Sequence, residues 1–233
     1  MAQMGYGYGS EFQLLRFLGH HRNALEMAIQ QNINSDNSVF YWFDFDFANR
    51  EKIITGDSEM VGLSFLKRCN LIPENNVEKV LNIVKSYKWS FDRWQYWDAV
   101  FINNGVLYFV EAKAHKDEMN SGKKEHGGTN SAAIQDFMKA QFGDIVTDKW
   151  LREFYQLANR ISTCKLLNDN GIPCKLVNIF FIDGYKDREH NICKDSKKED
   201  YDSALKIEYE TLGLTEDIRD KYIVDVFIDA NPE

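Results

Sequence analysis

The sequence predicts an α/β fold, a mixed sheet covered by helices. Three observations point there. Stretches with an apolar repeat of about 3.6 residues alternate with short runs dense in Val, Ile, Phe and Tyr. Two of those runs flank Asn103-Asn104-Gly105, and Asn-Gly is the favoured pair for a tight hairpin turn because both central residues take positive φ. No repeat and no Gly/Pro-rich linker divides the 233 residues, so a single domain spanning 1–233 is expected.

The elements follow in order. A helix is expected from Glu11 to about Gln31, with Ser10 as N-cap. Leu14, Leu15, Phe17, Leu18, Leu25, Ala28 and Ile29 form its apolar stripe, and Gly19 is a point of interruption. In Val39 to Phe47, Phe43, Phe45 and Phe47 alternate with Asp44 and Asp46, the two-residue period of a strand. Asp57–Cys69 and Asn76–Tyr87 read as helices separated by Pro73, within an insert of about 49–92. Trp94–Ile102 and Val106–Ala114 are the arms of the hairpin, and Trp89, Trp94 and Trp97 read as core. The polar, glycine-bearing stretch His115–Ser131 reads as a mobile loop.

A further helix is expected over about Asp148–Asn168, ended by Asn170-Gly171 and Pro173. Lys175–Ile182 has the apolar density of a buried strand. A charged loop over Asp183–Ser203 then leads into a helix ending near Leu212, and Tyr222–Ile228 reads as the last strand. The stretch 184–233 is a C-terminal extension in this reading.

Composition narrows the function classes. Twenty-eight Lys and Arg against 36 Asp and Glu give a formal charge of −8, which argues against a protein that coats nucleic acid by bulk charge. With 44% hydrophobic residues the chain can bury a core and is not a disordered protein. There is no apolar run of about 18 residues, so no membrane span is expected, and no secretory signal is expected at the first residues. Cys69, Cys164, Cys174 and Cys193 form no tight C-x-x-C pair, which suits free thiols and a cytoplasmic location. His190 and Cys193 could begin a zinc site with Cys174, but tetrahedral zinc needs about four ligands.

The hairpin carries the chemistry. With Asn104-Gly105 as its loop, Asn103 faces Val106 and, counting outward, Asp98 faces Glu111. Side chains alternate along a strand, so Lys113 falls on the Glu111 face. Two carboxylates at cross-strand distance repel unless a cation lies between them or one binds a proton. Oxygen ligands of this kind suit Mg²⁺ or Mn²⁺, and a lysine beside them can position a water or offset developing negative charge.

Asp98 followed by Glu111-Ala112-Lys113 across a hairpin resembles the motif of the PD-(D/E)XK nuclease superfamily. The resemblance implies a restriction-endonuclease-like α-β-β-β-α-β core, with the helical insert before the catalytic hairpin. It implies Mg²⁺- or Mn²⁺-dependent hydrolysis of nucleic-acid phosphodiesters, DNA ahead of RNA. Asp98, Glu111 and the Ala112 carbonyl would be metal ligands, and Lys113 would orient or activate the water. A first-helix glutamate, Glu11 first and Glu26 second, would complete the metal site, and Gln156 would be the polar residue on the following helix. Lys149 and Arg160 could face a phosphate. The motif covers residues 98–113, Trp97 stands where the motif has proline, and neither the insert nor residues 184–233 are covered. The resemblance leaves a homo-oligomer open, because such nucleases often cut two strands as dimers. It also leaves open a catalytically idle scaffold that binds nucleic acid or a protein.

Other basic groups are candidates for nucleic-acid contact. Lys116, Lys123, Lys124, His115 and His126 in the loop after the motif could close over a phosphate backbone, or belong to a plain surface loop. His20-His21-Arg22 reads as helix-surface polarity. A second acidic-x-Lys tripeptide, Asp195-Ser196-Lys197, lies in a polar run and reads as solvated.

Overall fold

The computed structural model describes residues 9–33, 38–43, 60–87, 95–121, 130–187, 192–193 and 196–231. The expectations placed on Asp44–Phe47, Trp89, Trp94, Lys123, Lys124, His126 and His190 lie outside these residues.

Among the described residues a five-stranded sheet forms the middle layer, in the order β1-β4-β5-β6-β9. Here β1 is Tyr41–Trp42, β4 Ala99–Asn103, β5 Val106–Lys113, β6 Cys174–Ile182 and β9 Ile223–Asp229. β1, β4 and β5 pair antiparallel, whereas β5–β6 and β6–β9 are parallel, so the sheet is mixed as expected. The hairpin register agrees with the count from the turn: Asn103 pairs with Val106 and Ala99 with Val110. Asn104 (φ 48°) and Gly105 (φ 75°) both take the left-handed backbone that a two-residue hairpin turn of this kind requires.

Alternation along the strands sends side chains into two cores. One face of the sheet, with Phe101, Tyr108, Val110, Ala112 and Ile179, is covered by α1 (Ser10–His20) and α2 (Arg22–Ile33) through Leu14, Phe17, Leu25 and Ile29. The other face, with Leu107, Phe109, Leu176 and Phe180, is covered by α3 (Glu74–Ser86), α4 (Asn130–Phe142), α5 (Lys149–Arg152), α6 (Tyr155–Asp169), α7 (Lys198–Leu212) and α8 (Glu216–Tyr222). None of these helices is long and apolar enough to cross a membrane.

Several expectations need correcting. The first helix is two, and the break is at His21 rather than Gly19. His21 leaves helical geometry while its N–H still reaches the Phe17 carbonyl (3.0 Å) and its ring packs on Phe17. Gly9, not Ser10, precedes the first helical residue. Met60–Val61 is a short strand (β2) that pairs with β3 (Tyr96–Trp97), followed by a 3₁₀ turn over Ser64–Arg68, where a helix over 57–69 was expected. The cause is Gly62. It sits at φ 62°, its N–H donates to the Gln95 carbonyl, and its own carbonyl accepts from the Trp97 indole at 2.8 Å. The helix over 148–168 is interrupted at Glu153–Phe154. α4 and α8 are additional helices. The stretch 184–233 is more than an appendage: it supplies a small hairpin (β7, Lys186–Asp187; β8, Ile192–Cys193), α7, α8 and strand β9 of the main sheet.

Candidate active site

The first arm of the hairpin ends at Asp98, where the paired ladder stops. Its N–H still donates to the Val110 carbonyl (3.2 Å), and its Oδ2 accepts the Ala112 N–H at 2.7 Å. The carboxylate thus replaces a backbone carbonyl as the ladder's next acceptor and is pinned beside Glu111.

Glu111 and Lys113 share the face of Leu107 and Phe109, so they point into the core under α6 and α7. Lys113 Nζ lies 2.7 Å from Glu111 Oε1 and 3.0 Å from Gln156 Oε1. Arg160, one turn after Gln156 on α6, donates from Nε to Glu111 Oε2 at 2.5 Å and from Nη2 to the Tyr96 carbonyl at 2.7 Å. Its guanidinium also lies over the Trp97 ring, 5.5 Å from the centroid. A short polar brace supports this corner: the buried Gln95 side chain donates to Asn159 Oδ1 (3.0 Å) and to Thr163 Oγ1.

Burial raises the affinity of Asp98 for its proton, and the Glu111 charge adds to it. Against the opposing pull of Lys113, the Ala112 N–H and Arg160, the carboxyl is pushed up to about 8. Burial acts on Glu111 in the same sense, but there Arg160 and then Lys113 outweigh it and hold the carboxyl below its usual range. Burial would lower Lys113, yet Glu111 and Asp98 outweigh it and keep the ammonium charged. The pair therefore splits into one carboxylate that holds its charge and one that holds a proton near neutrality.

The structure brings together Asp98, Glu111, Ala112, Lys113, Gln156 and Arg160. It does not bring Glu11 or Glu26 to them. Glu11 is in the first turn of α1, which packs over the opposite face of the sheet, where partial burial raises its carboxyl. Glu26 of α2 accepts the Trp42 indole N–H at 2.8 Å. Among the described residues no cluster of three or more His, Cys, Asp or Glu is placed to hold a metal ion. Lys149 is exposed at the start of α5, and Lys116 is exposed and paired with Asp200 at 3.5 Å. His115 is buried and caps its own 3₁₀ turn through Nδ1. Cys174, the third zinc candidate, lies 3.5 Å from Cys164.

Sequence reasoning missed the far wall of the site. Asn178 pairs with Glu111 across β5–β6, and Asp225 pairs with Asn178 across β6–β9, so a polar row crosses the sheet in its middle. Asn178 Nδ2 and the Tyr209 hydroxyl donate to Asp225 at 2.9 and 2.6 Å. Glu208 of α7 is 5% exposed, and burial pushes its carboxyl up to about 8. The signal was present. Tyr201, Leu205, Tyr209 and Leu212 mark α7's buried stripe, and Glu208 falls within it, where a carboxyl is exceptional. Comparison with family models, with curated proteins and with solved structures gives no match to this chain.

Proposed function

We infer that the protein is a divalent-metal-dependent nuclease that hydrolyses phosphodiester bonds, with DNA ahead of RNA as substrate. One observation carries the reading: Asp98, Glu111, Lys113 and Gln156 converge on one face of the hairpin's end. The donor set suits a hard cation. Asp98 and Glu111 offer carboxylate oxygens, Ala112 a carbonyl, and Mg²⁺ typically takes one or two carboxylates and keeps several waters. The unfavourable crowding of Asp98 against Glu111 is what a cation between them would relieve. When bound, such an ion would supply Lewis-acid stabilisation of charge on the phosphate.

The chain's own residues define the rest. Lys113 is an ammonium with a raised pKa, so it acts as a cation and hydrogen-bond donor rather than as a proton acceptor. It orients a water and offsets charge developing on the phosphoryl oxygens. Gln156 fixes the Lys113 head, and Arg160 fixes Glu111. Incubation with single- and double-stranded DNA and RNA, with and without Mg²⁺ or Mn²⁺, tests this. Metal-dependent cutting that falls about 100-fold or more in D98A and K113A is expected. Absence of cutting, or cutting unchanged in both variants, overturns it.

A second reading, an idle nuclease-like scaffold, is favoured by one observation: both oxygens of Glu111 are already engaged, by Lys113 and by Arg160. Calorimetric titration with Mn²⁺ separates the two. A closed ion-pair cluster takes up no ion, whereas the nuclease reading requires uptake that D98A removes.

A further inference from the structure

Hydrogen-bond accounting at Lys113 leaves one group over. An ammonium has three donors. Two are used, on Glu111 Oε1 and Gln156 Oε1. Among the described residues nothing accepts the third. Opposite, across a shared cavity, stands Glu208 of α7, 5% exposed, whose carboxyl makes no hydrogen bond to the described residues but is not sealed from water. Asn178, paired with Glu111 across β5–β6, lines the same cavity. Its Nδ2 is committed to Asp225, and its Oδ1 has no donor among the described residues. These groups share a cavity of about 20 Å³ whose remaining wall is apolar, from Met119, Leu157 and Phe180.

A buried polar group without a partner is costly, and native interiors resolve it with a protein group or an ordered water. A cavity holds one water from about 10–15 Å³ upward, provided two to four polar partners surround it. Volume and partners both agree here. We propose that this cavity is a binding site for one structural water that joins Lys113 to Glu208, making Glu208 a positioning residue of the active site. The water accepts the third Lys113 N–H and hydrogen-bonds to the Glu208 carboxyl, with Asn178 Oδ1 as its further acceptor. Lys113 is then held by a tripod: Glu111 on its own strand, Gln156 on α6, and Glu208 on α7 through the water. When Glu111 turns toward another cation, two legs of that tripod remain. The consequence for rate rests on the nuclease reading, but the water itself does not.

The test is a crystal structure of the protein at a resolution that shows ordered water, joined to kinetics of Glu208 variants. Density for one water within hydrogen-bond distance of both Glu208 and Lys113 is expected in the wild type. E208M fills the cavity with an apolar chain of similar length, so the water is lost. kcat falls about 10- to 100-fold with KM unchanged, while the melting temperature is held because the apolar packing gained offsets the hydrogen bonds lost with the water. E208Q keeps a polar partner for the water and recovers most of the rate. A merely structural Glu208 gives the opposite pattern, a lowered melting temperature with kcat intact, and that result overturns the proposal. So does a wild-type structure in which the cavity holds no water. If the wild type cuts no substrate, the nuclease reading fails, and the crystallographic water, present in wild type and lost in E208M, still decides this inference.

Discussion

Arg160 shows how tightly the candidate site is balanced. It is buried against a carboxylate that burial alone would discharge, and it also satisfies the Tyr96 carbonyl. R160A leaves the Glu111 charge half-compensated in the core, so a loss of about 3–5 kcal/mol is expected by chemical denaturation. Asp98 and Glu208 make a second residue-scale prediction. Asp98 goes from 3.8 to about 8, and Glu208 from 4.5 to about 8, on entering the folded state. The folded protein therefore binds more protons than the unfolded chain between those values. The stability this contributes is complete below the lower values and is lost as pH rises through about 8. Without added metal, the melting temperature should fall from about pH 5 to about pH 9, and D98N and E208Q should each flatten the slope. Under the nuclease reading a cation competes with the Asp98 proton, so Mn²⁺ binding measured by calorimetry should tighten across the same interval.

At the scale of elements, what was legible in the sequence was what local chemistry decides. The Asn-Gly turn sets the β4–β5 register by itself, and strand alternation puts Glu111 and Lys113 on one face. Val77, Val80, Leu81 and Val84 define α3 to within two residues of its expected bounds, Asn76–Tyr87 against Glu74–Ser86. The failures lie where distant partners decide. β2 exists because Gln95 and Trp97, far along the chain, hydrogen-bond to Gly62. α4 was hidden behind a polar stretch, although Ile134, Phe137 and Met138 at i, i+3 and i+4 are its buried face. Gly105 gives the test at this scale. Nothing stands within 4 Å of where its Cβ would lie, so G105A carries a purely conformational cost from φ 75°. About 1 kcal/mol is expected by urea unfolding, with the hairpin register unchanged.

For the whole molecule, the site is a joint product of three separated stretches, and this limits what a sequence reading can reach. The motif over 98–113 identified one wall, and α6 supplied the second through Gln156 and Arg160. Glu11 was misplaced because a helix stripe does not say which face of the sheet the helix will cover. The α7 stripe marks Glu208 as a buried carboxyl, but nothing local links 198–229 to the hairpin, so neither Glu208 nor Asp225 could be assigned to the site. That link is the parallel β6–β9 pairing. Deleting residues from Ile223 onward removes a strand of the central sheet and the Asp225 anchor of Asn178. Loss of the cooperative unfolding transition, followed by circular dichroism, is the expected result.

That late pairing also sets a timetable. A ribosome delivers the hairpin, then α6 and β6, and finally α7 through β9, and domains close as their parts become available. A nascent chain halted before α7 would present Lys113 and Arg160 to water, with no Glu208 opposite them. Under the nuclease reading, this corner is complete only once α7 and β9 have joined the sheet.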